Sequence, residues 1–173
     1  SDLSLGVATD FDLTPGTVET GEYGNKFNGT SDADGRVSGS FQNTGDDLVL
    51  SLSGFDVDTD DELALELNGE TLAVLPQGVN QAEVPYRFAI DAAQQAAEQN
   101  ILEAVQLRDP GWIWGVTDIL LEAPDARLTT GQTDTTDYGN NFNGTSAPDG
   151  EVTMTFAGSG EAMRLEVTGY DID

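Results

Sequence analysis

The chain has 173 residues, 32 acidic against six basic, and neither histidine nor cysteine, for a formal net charge of −26 at pH 7. A surface this negative repels phosphate backbones and anionic headgroups, which are bound by Lys and Arg releasing counterions, so neither nucleic acid nor a membrane surface is expected as a partner. Without His or Cys there is no Ser-His-Asp triad, thiol nucleophile, disulfide or ordinary structural zinc site, which leaves carboxylates, amides, hydroxyls and hard cations such as calcium.

Apolar residues make up 38% of the chain and come in short alternating bursts between Gly, Asp and Asn clusters, the pattern of a folded, mostly β protein. No stretch approaches the ~18 apolar residues needed to span a bilayer. The N-terminus lacks the regions of a signal peptide, so Ser1 either opens a mature chain or lies inside something longer. In chain order, SDLSLGVATD matches TDILLEAPD at Thr117–Asp125 with one residue inserted, so residues 1–9 read as the last strand of a preceding repeat. Strands are expected near 36–42, 47–53, 62–68, 71–75, 84–90, 100–107 and 113–122, separated by Asn-Gly, Asp-Gly and Pro-Gly turns. The two strands flanking Asn68-Gly69 form the strongest short hairpin signal, with Leu63, Leu65 and Leu67 toward the core. Asp91 followed by an Ala/Gln/Glu run predicts one short helix of about two turns.

The segment Asp10–Asp58 recurs as Asp125–Asp173 at a constant offset of 115 residues, and roughly 22 of the 49 paired positions are identical. Residues 10–124 therefore read as one complete module, and 125–173 as the first half of a second. Half a sandwich leaves strand edges and an apolar face uncovered. Either another copy of the chain supplies the missing strands or the sequence is an excerpt of a longer array.

Asp56, Asp58, Asp60, Asp61 and Glu62, in GFDVDTDDE, place five carboxylates directly before a strand. On an extended segment the alternate acids Asp56, Asp58 and Asp60 share a side, where their oxygens would suit a cation taking 6–8 oxygen ligands. The spacing is not that of an EF-hand, since Asp61 stands where Gly is required; the competing reading is a solvated acidic turn. Asp56 and Asp58 reappear as Asp171 and Asp173. Tyr23 and Phe27, in YGNKFNGT, read as core anchors around an Asn-Gly turn, and Asn28-Gly29-Thr30 is also a glycosylation sequon. Trp112 and Trp114 lie two apart, which on a strand puts both on one face, as core packing or as a stacking platform for sugar rings.

LELNGETLAVL, YRFAIDA, QNILEAVQL and WGVTDILL, spanning about Asp61–Leu121, resemble the galactose-binding-domain-like jelly rolls found as carbohydrate-binding modules and sugar-binding domains of glycosidases. YGNKFNGT, GFDVDTDDE and PGWIWGVTD together also resemble a repeat of large acidic secreted proteins of marine bacteria. The resemblance implies an extracellular all-β jelly-roll sandwich, often calcium-loaded, to which the residues themselves add one short helix. It further implies a structural calcium between the first strand region and the last strand, at Asp10, Asp12 or Glu22 with Asp118.

The combined expectation is a non-catalytic, calcium-binding repeat module of a secreted or surface protein, with neighbouring copies as partners and adhesion or self-assembly into strand-complemented filaments as its work. The alternative is a calcium-dependent carbohydrate-binding module using Trp112, Trp114, Asn80 and Arg108 on a glycan.

Overall fold

The computed structural model describes residues 9–30, 35–108, 111–128, 132–141, 143–145, 147, 151–156 and 164–169. The strand expected at the N-terminus and the candidate ligands Asp171 and Asp173 lie outside them. The chain divides into two compact units, Ser1–Pro124 and Asp125–Asp173.

In the first unit the strands are β1 (Phe11–Asp12), β2 (Tyr23–Asn25), β3 (Arg36–Gln42), β4 (Leu48–Phe55), β5 (Leu63–Leu67), β6 (Glu70–Val74), β7 (Glu83–Ile90), β8 (Gln99–Gln106) and β9 (Trp114–Glu122). They form a five-stranded sheet in the order β1-β3-β8-β5-β6 and a four-stranded sheet in the order β2-β9-β4-β7. From β2 onward the chain changes sheet at every connection except the β5–β6 hairpin. That is the strand order of an eight-stranded jelly roll, with β1 added as a short parallel strand beside β3.

Alternation along the strands builds the core between the sheets. Val37, Phe41, Leu63, Leu65, Leu67 and Leu102 come from one sheet, and Leu48, Leu50, Leu52, Tyr86, Ile90, Trp114, Val116, Ile119 and Leu121 from the other. Each side chain of this size contributes about 1.5–3 kcal/mol on burial. The hairpin turns at Asn68 and Gly69, both left-handed at φ 54° and 82°, as a two-residue primed turn requires.

Strands β3–β9 lie within a residue or two of the seven expected ones, β1 and β2 were not anticipated, and the helix does not form as read. Only a single 3-10 turn, Ala92–Gln94, is present. Its backbone is captured by side chains of other elements: Ala92 N–H donates to Asp47 Oδ1 at 2.9 Å and Ala96 N–H to Asn100 Oδ1 at 2.7 Å. None of its residues is buried, so no apolar stripe favours continuation of the helix.

The second unit contains the parallel pair β10 (Ala126–Leu128) and β11 (Met154–Phe156), at the repeat positions of β1 and β3. The local hydrogen bonds recur with it. Asp10 Oδ2 accepts from Ser38 N–H at 2.7 Å, and Asp125 Oδ2 from Thr153 N–H at 2.7 Å. Lys26 N–H reaches Thr30 O at 3.1 Å, as Asn141 N–H reaches Thr145 O at 3.1 Å.

Candidate functional site

The acidic segment begins where β4 ends. Asp56 takes a left-handed conformation (φ 59°), which turns the chain out of the sheet, and Val57 drops into the core at 1% exposure. The loop between β6 and β7 is laced to this turn. Gln81 N–H donates to Asp56 Oδ1 at 2.6 Å, Asn80 Nδ2 to Asp58 Oδ2 at 3.2 Å, and Gln77 N–H to Asp60 Oδ1 at 2.9 Å. Asp61 forms an ion pair with Arg108. The run is thus a braced turn and not one extended edge: Asp60 and Asp61 are drawn aside, while Asp56 and Asp58 keep a common side.

Glu62 behaves differently from its neighbours. Its side chain is buried at 1% exposure, and Oε2 accepts the Asp58 N–H at 2.8 Å. Burial pushes its carboxyl above the ordinary range, opposed by the Asp58 and Thr59 N–H groups and reinforced by the nearby Asp58 and Asp56 charges.

The opposite wall comes from distant segments. Phe27 is buried at 2% exposure and stacks on Phe55 with ring centroids 4.8 Å apart. Gly115 lets it in, since a Cβ there would lie 2.3 Å from the Phe27 ring. This seats Lys26 beside the residues preceding β9. Lys26 Nζ donates to Gly111 O at 2.7 Å, and Asn25 Nδ2 to Trp112 O at 2.8 Å. Asp56, Asp58 and Glu62 on one side, and Lys26, Gly111, Trp112 and Ile113 on the other, line one open cleft of about 390 Å³. Trp112 is 41% exposed.

The two tryptophans part company. Trp112 precedes β9, so strand alternation does not govern it, whereas Trp114 opens the strand and is fully buried. The paired-indole platform is therefore corrected to a single exposed ring. Asn80 and Arg108 brace the acidic turn through Asp58 and Asp61.

The residues implied for a second cation site with Asp118 have local partners of their own. Asp10 and Asp12 tie β1 to β3 through Ser38 and Ser40, and Glu22 Oε1 accepts from Asn28 Nδ2 at 2.6 Å. Asp118 is exposed on β9, left-handed at φ 50°, where the β4 pairing bulges. Among the described residues no three His, Cys, Asp or Glu side chains form a ready-made cation site, so Asp56, Asp58 and Glu62 share a cleft without being a preformed cage. Sequence reasoning passed over Lys26. Its signal was available: it is the only lysine in the chain, and the repeat carries Asn141 instead.

No protein-family model matches the chain, and no curated protein matches it. Among solved structures it is similar to the crystal structure of the CBM36-1 domain of a multidomain xylanase from the hindgut metagenome of Trinervitermes trinervoides. The identity is 18% and the TM-score 0.43, over 61% of this chain and 94% of that one. The jelly-roll assignment rests on the strand order described above.

Proposed function

We propose that the first unit is a non-catalytic, extracellular glycan-binding module whose cleft holds a sugar ring against Trp112, with calcium at the neighbouring carboxylates. The observation that carries this reading is the meeting, in one cleft, of an exposed indole with Asp56, Asp58 and Glu62. The C–H-rich face of a pyranose packs on an indole, while a few polar groups fix its orientation. Asp56 and Asp58 each spend one carboxylate oxygen on the bracing loop; the other oxygen accepts no hydrogen bond among the described residues and suits a hard cation. A site of this kind, part exposed and not caged, fits the weak calcium affinities of extracellular modules. No helix among the described residues is long and apolar enough to cross a membrane.

Two measurements test the reading. Affinity electrophoresis through gels containing soluble polysaccharides should show retention by at least one of them, lost with Trp112→Ala and reduced when calcium is chelated. Equal mobility of Trp112→Ala and the native protein in every gel sinks the glycan site. Thermal unfolding in millimolar calcium should lie a few degrees above that in chelator, and identical midpoints rule out calcium.

A second reading, a repeat unit in a self-associating array, is favoured by the exposure of Phe156, Leu165 and Val167, whose repeat counterparts are core residues. Calcium would then stiffen loops and junctions between modules.

A further inference from the structure

Lys26 is unusual three times over. It is the only lysine among 173 residues, its backbone is left-handed at φ 60°, and it lines the cleft opposite three carboxylates. The left-handed region suits Asn far better than Lys. The repeat shows this directly: Asn141 occupies the same position at φ 59° and makes the same backbone bond to Thr145. The turn itself does not need a lysine. What the lysine adds lies in its side chain, which crosses to Gly111 O while the preceding residue, Asn25, crosses to Trp112 O. Two adjacent side chains on the β2 turn thus grip two adjacent carbonyls of the loop that presents the indole.

We propose that Lys26, together with Asn25, is a positioning pair that clamps residues 111–113 and fixes the exposed Trp112 ring at the cleft rim. Asn25 is 5% exposed and serves as the buried half of the clamp. Lys26 is the solvent-side half, a flexible ammonium with donors to spare for the ligand. A loop outside regular structure loses conformational freedom when it binds, so a loop held beforehand binds more tightly. The inference rests on the glycan reading for its purpose but not for its geometry.

Acrylamide quenching tests it, because Trp114 is fully buried and the quenchable emission belongs to Trp112. Lys26→Asn copies the residue of the repeat and suits the same backbone. It should raise the quenching constant about twofold and speed amide exchange at Trp112 and Ile113 about tenfold. Lys26→Gly, which also tolerates the turn, should do the same, and Lys26→Arg, which keeps a donor, should stay near the native values. Retention on any polysaccharide that binds the native protein should weaken about three- to tenfold in Lys26→Asn and recover in Lys26→Arg. Native quenching and exchange in both Lys26→Asn and Lys26→Gly would overturn the clamp. If the native protein is retained by no polysaccharide yet the quenching difference appears, the clamp stands and the glycan reading alone falls.

Discussion

Glu62 shows how one buried carboxyl links stability to pH. Its pKa is raised above 4.5 in the folded protein, first by burial and then by the Asp58 and Asp56 charges. Above the unfolded value the unfolded chain ionises this group more readily than the folded one, so ionisation favours unfolding. The contribution of Glu62 to stability is fully present at acidic pH below 4.5 and is lost as pH rises through the folded value. In calcium-free buffer at neutral pH, Glu62→Gln should therefore raise the unfolding midpoint by about 2–5 °C, since the amide oxygen can still accept the Asp58 N–H without a charge to bury. The gain should vanish in acid, and differential scanning calorimetry across the range reads it directly. A midpoint lowered at neutral pH would mean that the charge is satisfied in the fold. The tyrosines carry the same sign at the alkaline end: Tyr23 is pushed up to about 12 by burial and by Glu19, with which it is hydrogen bonded. Its neutral form stabilises the fold below pH 10, and that contribution fades as pH rises toward 12.

The β1–β3 contact shows what a short element needs. Phe11 lies over Gly39, its partner in the register, and a Cβ on that glycine would sit 1.9 Å from the Phe11 ring. In the second unit the paired positions are Ala126 and Met154, so large and small have changed places across the same parallel pair. Gly39→Met alone should destabilise by about 3 kcal/mol through overpacking, and Phe11→Ala by a similar amount through a cavity. The double variant should recover at least about 1 kcal/mol of the summed loss in a denaturant double-mutant cycle; simple additivity would show that the exchange is not compensatory. The same elements mark how far the sequence could be read. Strand positions were legible because alternation of Leu63, Leu65 and Leu67 reports a buried face, and Asn68-Gly69 reports a primed turn. The helix was not, since the Ala/Gln run has local propensity only, while Asp47 and Asn100 arrive from other elements to take its N–H groups. The acidic turn could be found in the sequence, but its partner wall could not. Lys26 and Trp112 are 86 residues apart, and only the β2–β9 pairing brings them together. Trp114 parts from Trp112 because β9 begins at Trp114, two residues too late to hold both, and Trp114 takes the core-packing alternative.

The two units carry one pattern in two conditions of burial. Phe41, Leu50 and Leu52 are 2%, 0% and 4% exposed in the first unit, whereas their counterparts Phe156, Leu165 and Val167 are 49%, 64% and 71% exposed. In the first unit strands β5–β9 complete the sandwich around these positions. In the repeat-array reading, cover of the β5–β9 kind for the same side chains in the second unit would come from a neighbouring module or another copy. Opposing this is the charge, since two molecules at −26 each repel at long range. At physiological ionic strength the Debye length is about 8 Å, so repulsion is confined to near contact, whereas apolar burial keeps its strength of about 25 cal/mol per Å². Apolar association should win as salt is added. Sedimentation velocity is expected to show the chain associating with rising concentration, more strongly at higher salt. Replacing Leu165 and Val167 together by Asp should weaken that association at least tenfold while leaving the unfolding midpoint of the first unit in place. Leu50→Asp, at the matching core position, should instead unfold the first unit outright, because a charge buried without a partner is not tolerated there. A species that stays monomeric at every concentration and salt would remove self-association as the way these side chains are covered.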